Sequence, residues 1–188
     1  MSAIPRRYFD EQEYLEREEM SPFKSEYYRG EIFAMAGGTP RHAEIAAKII
    51  QALNNKKPRQ CRVYSSDARI HIPQNTLHTY PDVSVVCGKP EILKNAICNP
   101  ILLVEVLSPS TRNYDRNEKR LLYADIPTLK EYVVMEQDEE RMDVWRKDSG
   151  GVWEFIPMTD SAKSIHLHSL NCEIYLEEIY EHFEFEDE

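Results

Sequence analysis

Apolar positions recur along this chain with two different periods, and the switches between them mark its elements. In RHAEIAAKIIQALNN, Ile45, Ile49 and Leu53 fall on one face at helical spacing. Thr39 stands ahead of them as an N-cap and Pro40 as a favoured first-turn residue, so the spacing predicts an amphipathic helix. Upstream, YFDEQEYLEREE is polar with Tyr14 and Leu15 at its apolar edge, which suits a short surface helix over about 9–20. Between the two, SEYYRGEIFAMAGG reads as a hairpin hinged at Arg29-Gly30, with Gly37-Gly38 ending its second strand. Beyond the helix the period drops to two. CRVYSSDARIHIP and HTYPDVSVVCG read as two strands, and PILLVEVLSP as a third, closed by Pro109. The continuous apolar run of that third strand places it centrally, covered on both faces.

DRNEKRLLYADI reads as a helix, with Asp115 and Glu118 forming a capping-box-like start and Pro127 just past its end. EYVVMEQDEERMDVWRKD reads as a hairpin turning in the acidic stretch 137–140, and GVWEFIPM, SIHLHSL and a closing helix around 175–182 complete the chain. The pattern is that of an α/β protein with a mixed sheet, flanking helices and additional β-hairpins. With no repeat, low-complexity linker or composition break, residues 1–188 read as one domain ending in an acidic, solvated tail at about 183–188.

Composition changes this picture only at the margins. A chain of 188 residues is long enough to bury a core without staples. No apolar run is long enough to span a bilayer, and the start, MSAIPRRYFDEQEYLEREEM, has no apolar h-region. The four cysteines show no metal-ligand spacing, so reduced thiols and a cytoplasmic location are expected. A formal net charge of −10 argues against a protein that merely coats nucleic acid. Two short basic clusters exist, NNKKPRQCR at 54–62 and Arg112, Arg116, Lys119 and Arg120, and a solvated surface accounts for either one.

Candidate chemistry enters with Glu105, a carboxylate inside the run ILLVEVL. Burying an unpaired ionised carboxylate is costly, so either something positive meets it there or the strand is not buried. Asp82, in YPDVSVV, is the second acid; if the two strands are neighbours, both carboxylates converge near one end of the sheet. Two carboxylates so placed repel, and a divalent ion is the simplest compensating charge. Hard oxygen ligands without cysteine or histidine point to Mg²⁺ or Mn²⁺. Asp115, Lys119 and Tyr123 follow at i, i+4 and i+8 on the next helix, whose face can be aimed back at the acids. Lys119 there would stabilise charge developing on a phosphate; the alternative is a surface ion pair with Asp115.

The pattern YPDVSVV…LLVEVLSPSTRNYDRNEKRLLYADIPTLKEYVV resembles the PD-(D/E)XK nuclease superfamily, and within it a branch of small bacterial restriction-endonuclease-like proteins long classed as a domain of unknown function. The resemblance runs from about Tyr14 to Tyr180, and EVLSPST with the downstream DRNEKRLLYA is its specific part. It implies a restriction-endonuclease-like fold, with Asp82 and Glu105 as metal ligands and the Val106 carbonyl as a further one. The superfamily's lysine two residues after the glutamate is replaced here by Leu107, and the branch implies Lys119 in its stead. It also implies a supporting shell: Glu31 meeting the metal through water, His42 pointing inward from the first helical turn, and Ser108 and Tyr123 orienting the site. For His42 a core-edge histidine satisfied by a neighbour is the other reading.

Weaker signals are set aside. His166 and His168 alternate onto one strand face, a polar exposed face more often than a chelate. Ser108 and Ser110 lack the nucleophile elbow, and CGKP lacks the glycine-rich lead-in of a phosphate loop. The expectation is a Mg²⁺- or Mn²⁺-dependent DNA endonuclease, homodimeric as nuclease relatives commonly are, with no membrane partner. Trp145 and Trp153 are candidate interface residues, though core packing accounts for them equally. The alternatives are a non-catalytic module of the same fold and hydrolysis of another phosphodiester.

Overall fold

In the computed structural model, which describes residues 7–35, 37–109, 111–159 and 161–185, the chain begins with α1 (Glu11–Met20). Asp10 caps it in a reciprocal box with Glu13. Ser110 and the last three residues of the expected tail lie outside the described residues. The hairpin follows as β1 (Ser25–Tyr28) and β2 (Glu31–Ala34). Its turn residues Arg29 and Gly30 both have positive φ, 47° and 90°, as a two-residue primed turn requires. Next comes α2 (Pro40–Lys56), whose N-cap Thr39 accepts from the His42 backbone and whose Ile45, Ile49 and Leu53 are buried. The chain continues through β3 (Cys61–Ser65), β4 (Ile70–Ile72), β5 (Leu77–Thr79), β6 (Val83–Cys87), β7 (Ile92–Leu93), β8 (Ala96–Ile97) and β9 (Leu102–Leu107). A π-helix (Tyr114–Lys119) runs into α3 (Arg120–Tyr123) and leads to β10 (Glu131–Glu136). β11 (Met142–Lys147), β12 (Trp153–Ile156), β13 (Ser164–Leu167), β14 (Cys172–Tyr175) and α4 (Leu176–Tyr180) complete it.

Two mixed six-stranded sheets result, ordered β2-β1-β5-β4-β8-β7 and β12-β11-β10-β9-β6-β3, with β13 and β14 as a separate pair. β9 and β10 are parallel, and the π-helix with α3 supplies the crossover such a pair needs. Alternation along β9 sorts the core into two layers. Leu102, Val104 and Val106 pack with Val83 and Val85 against α2. Leu103 and Leu107 face the other way, toward Ile70, Ile72 and Leu77 of the first sheet and Tyr123 of α3. All six residues of β9 are buried, the central position that its apolar run predicts.

Several local expectations are corrected. CRVYSSDARIHIP and HTYPDVSVVCG are each two strands, and each stretch crosses from one sheet to the other. The second breaks around Pro81, which cannot donate to a ladder. Alternation is the same in either sheet, so the pattern does not reveal the crossing. The Asp115–Glu118 capping box is absent: Asn113 is the N-cap, without a side-chain bond, and Asp115 is buried. Cys61 and Cys87, expected as free thiols, form a disulfide, because they stand opposite one another in the β3–β6 register despite a sequence separation of 26. Cys98 and Cys172 are free. Among the described residues, no helix is long and apolar enough to cross a membrane.

Candidate active site

The β6–β9 register decides where the two acids meet. Val83 lies opposite Val104 and Ser84 opposite Leu103, so one further step sets Asp82 beside Glu105. There the Val106 backbone N–H donates to Asp82 Oδ2 at 2.8 Å, and the Asp82 backbone N–H to Glu105 Oε2 at 3.4 Å. Each carboxylate is thus oriented by the other strand's backbone. Both line a cleft of about 340 Å³, together with His42, Val106, Ser108, Asp115 and Lys119.

Lys119 enters from the π-helix. Its ammonium lies 2.9 Å from Glu105 Oε1, 3.2 Å from Glu26 Oε1 and 3.6 Å from Asp115 Oδ1. The wider π turn still leaves Asp115, Lys119 and Tyr123 on the interior side; insertions of this kind are frequent at functional sites. The Tyr123 hydroxyl donates to Glu105 Oε1 at 2.7 Å. His42 Nε2 lies 3.2 Å from Asp82 Oδ2. Gly38 makes room for that ring, since a Cβ there would come within 2.7 Å of His42 Nδ1.

The charges are unbalanced. Burial pushes the Glu105 carboxyl up to about 8; Lys119 opposes this, and Asp82 and Asp115 add to it. Asp115 is likewise raised by burial. Burial alone would lower Lys119, but Glu105, Glu26 and Asp115 together hold its ammonium well above the ordinary value. His42 is raised by its bond to Asp82, against burial. Four carboxylates around one ammonium and one imidazole leave a negative surplus that a divalent ion would relieve. Asp82 and Glu105 bring hard carboxylate oxygens to the cleft, which Val106 also lines, and that donor chemistry fits Mg²⁺ or Mn²⁺.

Glu31 does not line this cleft; the hairpin supplies Glu26 instead. Glu26 stands opposite Phe33 and Tyr28 opposite Glu31, so both acids point from the same face. Glu31 sits at the turn end, about 7 Å further along the strand. Parity could have nominated either acid; only the docking of the hairpin chooses. Glu26 also accepts from Thr79. Ser108 lines the cleft, its hydroxyl 2.9 Å from that of Thr111, and so shapes the approach to the π-helix. Leu107, where the superfamily carries lysine, is fully buried in the apolar layer.

Besides Lys119, three members of the basic clusters are held in ion pairs within the fold. Arg112 pairs with Glu136 and Asp138, and Arg116 with Glu136 and Asp143. Lys56 reaches Glu178. His166 and His168 are exposed. A different trio, Glu11, His71 and His78, brings three potential ligand atoms within 4.8 Å of one another. Lys94 already holds Glu11, and burial lowers both imidazoles, His78 to about 4. A dication there would have to displace that ammonium.

Comparison with known proteins agrees with the architecture. The profile of the Uma2 family, described as "putative restriction endonuclease", matches residues 11–177. Two uncharacterized Synechocystis proteins, slr1290 and sll1609, are 36% and 35% identical over 172 and 145 residues, covering 90% and 75% of this chain and 90% and 82% of theirs. A crystal structure described as "a putative nuclease belonging to DUF820", from Anabaena variabilis, superposes with a TM-score of 0.72 at 19% identity. It covers 92% of this chain and 97% of that one. At that identity the likeness concerns the fold.

Proposed function

The chain belongs to the Uma2 family, and from that premise we propose that it is a Mg²⁺- or Mn²⁺-dependent DNA endonuclease centred on Asp82, Glu105 and Lys119. One observation carries the reading: the carboxylate just ahead of β6 and the one within β9 share a cleft with an ammonium 2.9 Å from the latter, and the cluster keeps a negative surplus. Asp82, Glu105 and the Val106 carbonyl would hold the ion, which when bound supplies Lewis-acid polarisation of the scissile phosphate and an activated water. Lys119 stabilises negative charge developing on the phosphate, in place of the lysine absent at Leu107. Glu26 and Asp115 keep that ammonium charged and aimed. His42 and the Val106 N–H orient Asp82, and Tyr123 orients Glu105.

The test is incubation of the purified protein with plasmid and linear DNA in Mg²⁺ or Mn²⁺. Cleavage is expected, and it disappears in Asp82→Ala and Glu105→Ala; cleavage that survives both changes overturns the assignment. A homodimer, able to cut both strands, belongs to the same proposal and is checked by light scattering. The second reading, a non-catalytic module of the nuclease fold, is favoured by Arg112 and Arg116 being engaged in internal ion pairs. Calorimetry separates the two, since failure to bind millimolar Mg²⁺ or Mn²⁺ favours the module.

A further inference from the structure

A second cavity, of about 640 Å³, opens directly beside the cleft and shares Glu26, Thr111 and Tyr114 with it. One wall is the face of the hairpin that carries Glu26, Tyr28 and Phe33; the other is the π-helix and α3, with Tyr114, Glu118 and Leu121. Phe33 and Leu121 remain 44% and 58% exposed, and they line the cavity with Tyr28, Tyr114 and the carboxylates of Glu26 and Glu118. The carboxylates on its walls repel phosphate yet accept N–H bonds, a combination suited to the edge of a base rather than to the backbone.

Resting on the nuclease reading above, we propose that this cavity receives an unpaired nucleobase of the DNA strand whose scissile phosphate enters the cleft lined by Asp82, Glu105 and Lys119. The sugar and base next to such a phosphate have to occupy neighbouring volume, and this cavity adjoins the cleft across Glu26, Thr111 and Tyr114. Tyr28, Phe33 and Tyr114 offer stacking faces, and Glu118, exposed on the π-helix, accepts from the base edge. A base inside a duplex has to unstack before it can enter, so this cavity favours single strands, flaps and mismatched sites over matched duplex without barring duplex from the cleft.

The test uses a single-stranded oligonucleotide carrying one 2-aminopurine, with Ca²⁺ replacing Mg²⁺ so that binding is read without cleavage. Saturable change in emission is expected with the single strand and none with the matched duplex. Phe33→Ala weakens single-strand binding roughly tenfold, and Phe33→Tyr restores it. Unchanged emission, or unchanged affinity in Phe33→Ala, overturns the proposal, as does conversion of a dimer to monomers by Phe33→Ala, which would make the cavity a subunit interface. Asp82-dependent plasmid cleavage without any 2-aminopurine response removes the base site and leaves the nuclease standing. A Phe33-dependent response without cleavage of any DNA does the reverse.

Discussion

Glu105 and Glu131 lie on neighbouring strands of one sheet, both buried, and their surroundings differ in one respect. Glu131 is met by a complete set of donors: Arg146 Nε at 2.7 Å, the backbone N–H groups of His168 and Ser169 at 3.1 and 2.8 Å, and the Ser169 hydroxyl at 2.5 Å. Its charge is answered within the fold. Glu105 shares its single ammonium with Glu26 and Asp115 and has Asp82 as a neighbour, so burial and like charge push its proton affinity upward. Burial of an acid therefore does not distinguish a structural carboxylate from a reactive one. The balance of donors around it does.

That contrast can be broken at several points. The largest effect is expected in Glu105→Gln: DNA cleavage falls by about a thousandfold, while urea denaturation shows stability within about 1 kcal/mol of the parent, because Lys119 keeps Glu26 and Asp115. Glu131→Ala should do the opposite. It takes from Arg146 its carboxylate partner and from two part-buried N–H groups their acceptor, so about 3 kcal/mol of stability is lost, while the residual folded protein cleaves at the parental rate.

A smaller effect concerns pH. Glu105 ordinarily titrates near 4.5 and is raised to about 8 in the fold. The metal-free folded state thus keeps a proton that the unfolded chain has lost, and this contribution is full below pH 4.5 and fades as pH rises through 8. Thermal denaturation should show that decline, and both Glu105→Gln and added Mg²⁺ should flatten it; a decline unaltered by either refutes the charge imbalance. The smallest effect has the opposite sign. His78, lowered from 6.5 to about 4, contributes stability above 6.5 that is lost as pH falls through 4, and His78→Gln should remove that acid-side slope in the same experiment.

Much of this was legible in the residues themselves. The helical spacing of Ile45, Ile49 and Leu53, the Arg29-Gly30 turn and the apolar run around Glu105 each depend on near neighbours, and the elements formed where the pattern placed them. The exception within reach of local reasoning is Asp115, whose carboxylate leaves the helix start for the buried ammonium of Lys119.

What one chain segment cannot encode alone is its partner. Whether Glu26 or Glu31 enters the cleft, which sheet each half of HTYPDVSVVCG joins, and that Cys61 faces Cys87 all depend on strands distant in sequence. Local preference determined the elements and singled out Asp82 and Glu105 as acids in apolar company, because backbone geometry and burial act residue by residue. Only the tertiary structure decided how many carboxylates share one ammonium, because electrostatic balance is a sum over everything that folding brings within a few ångströms.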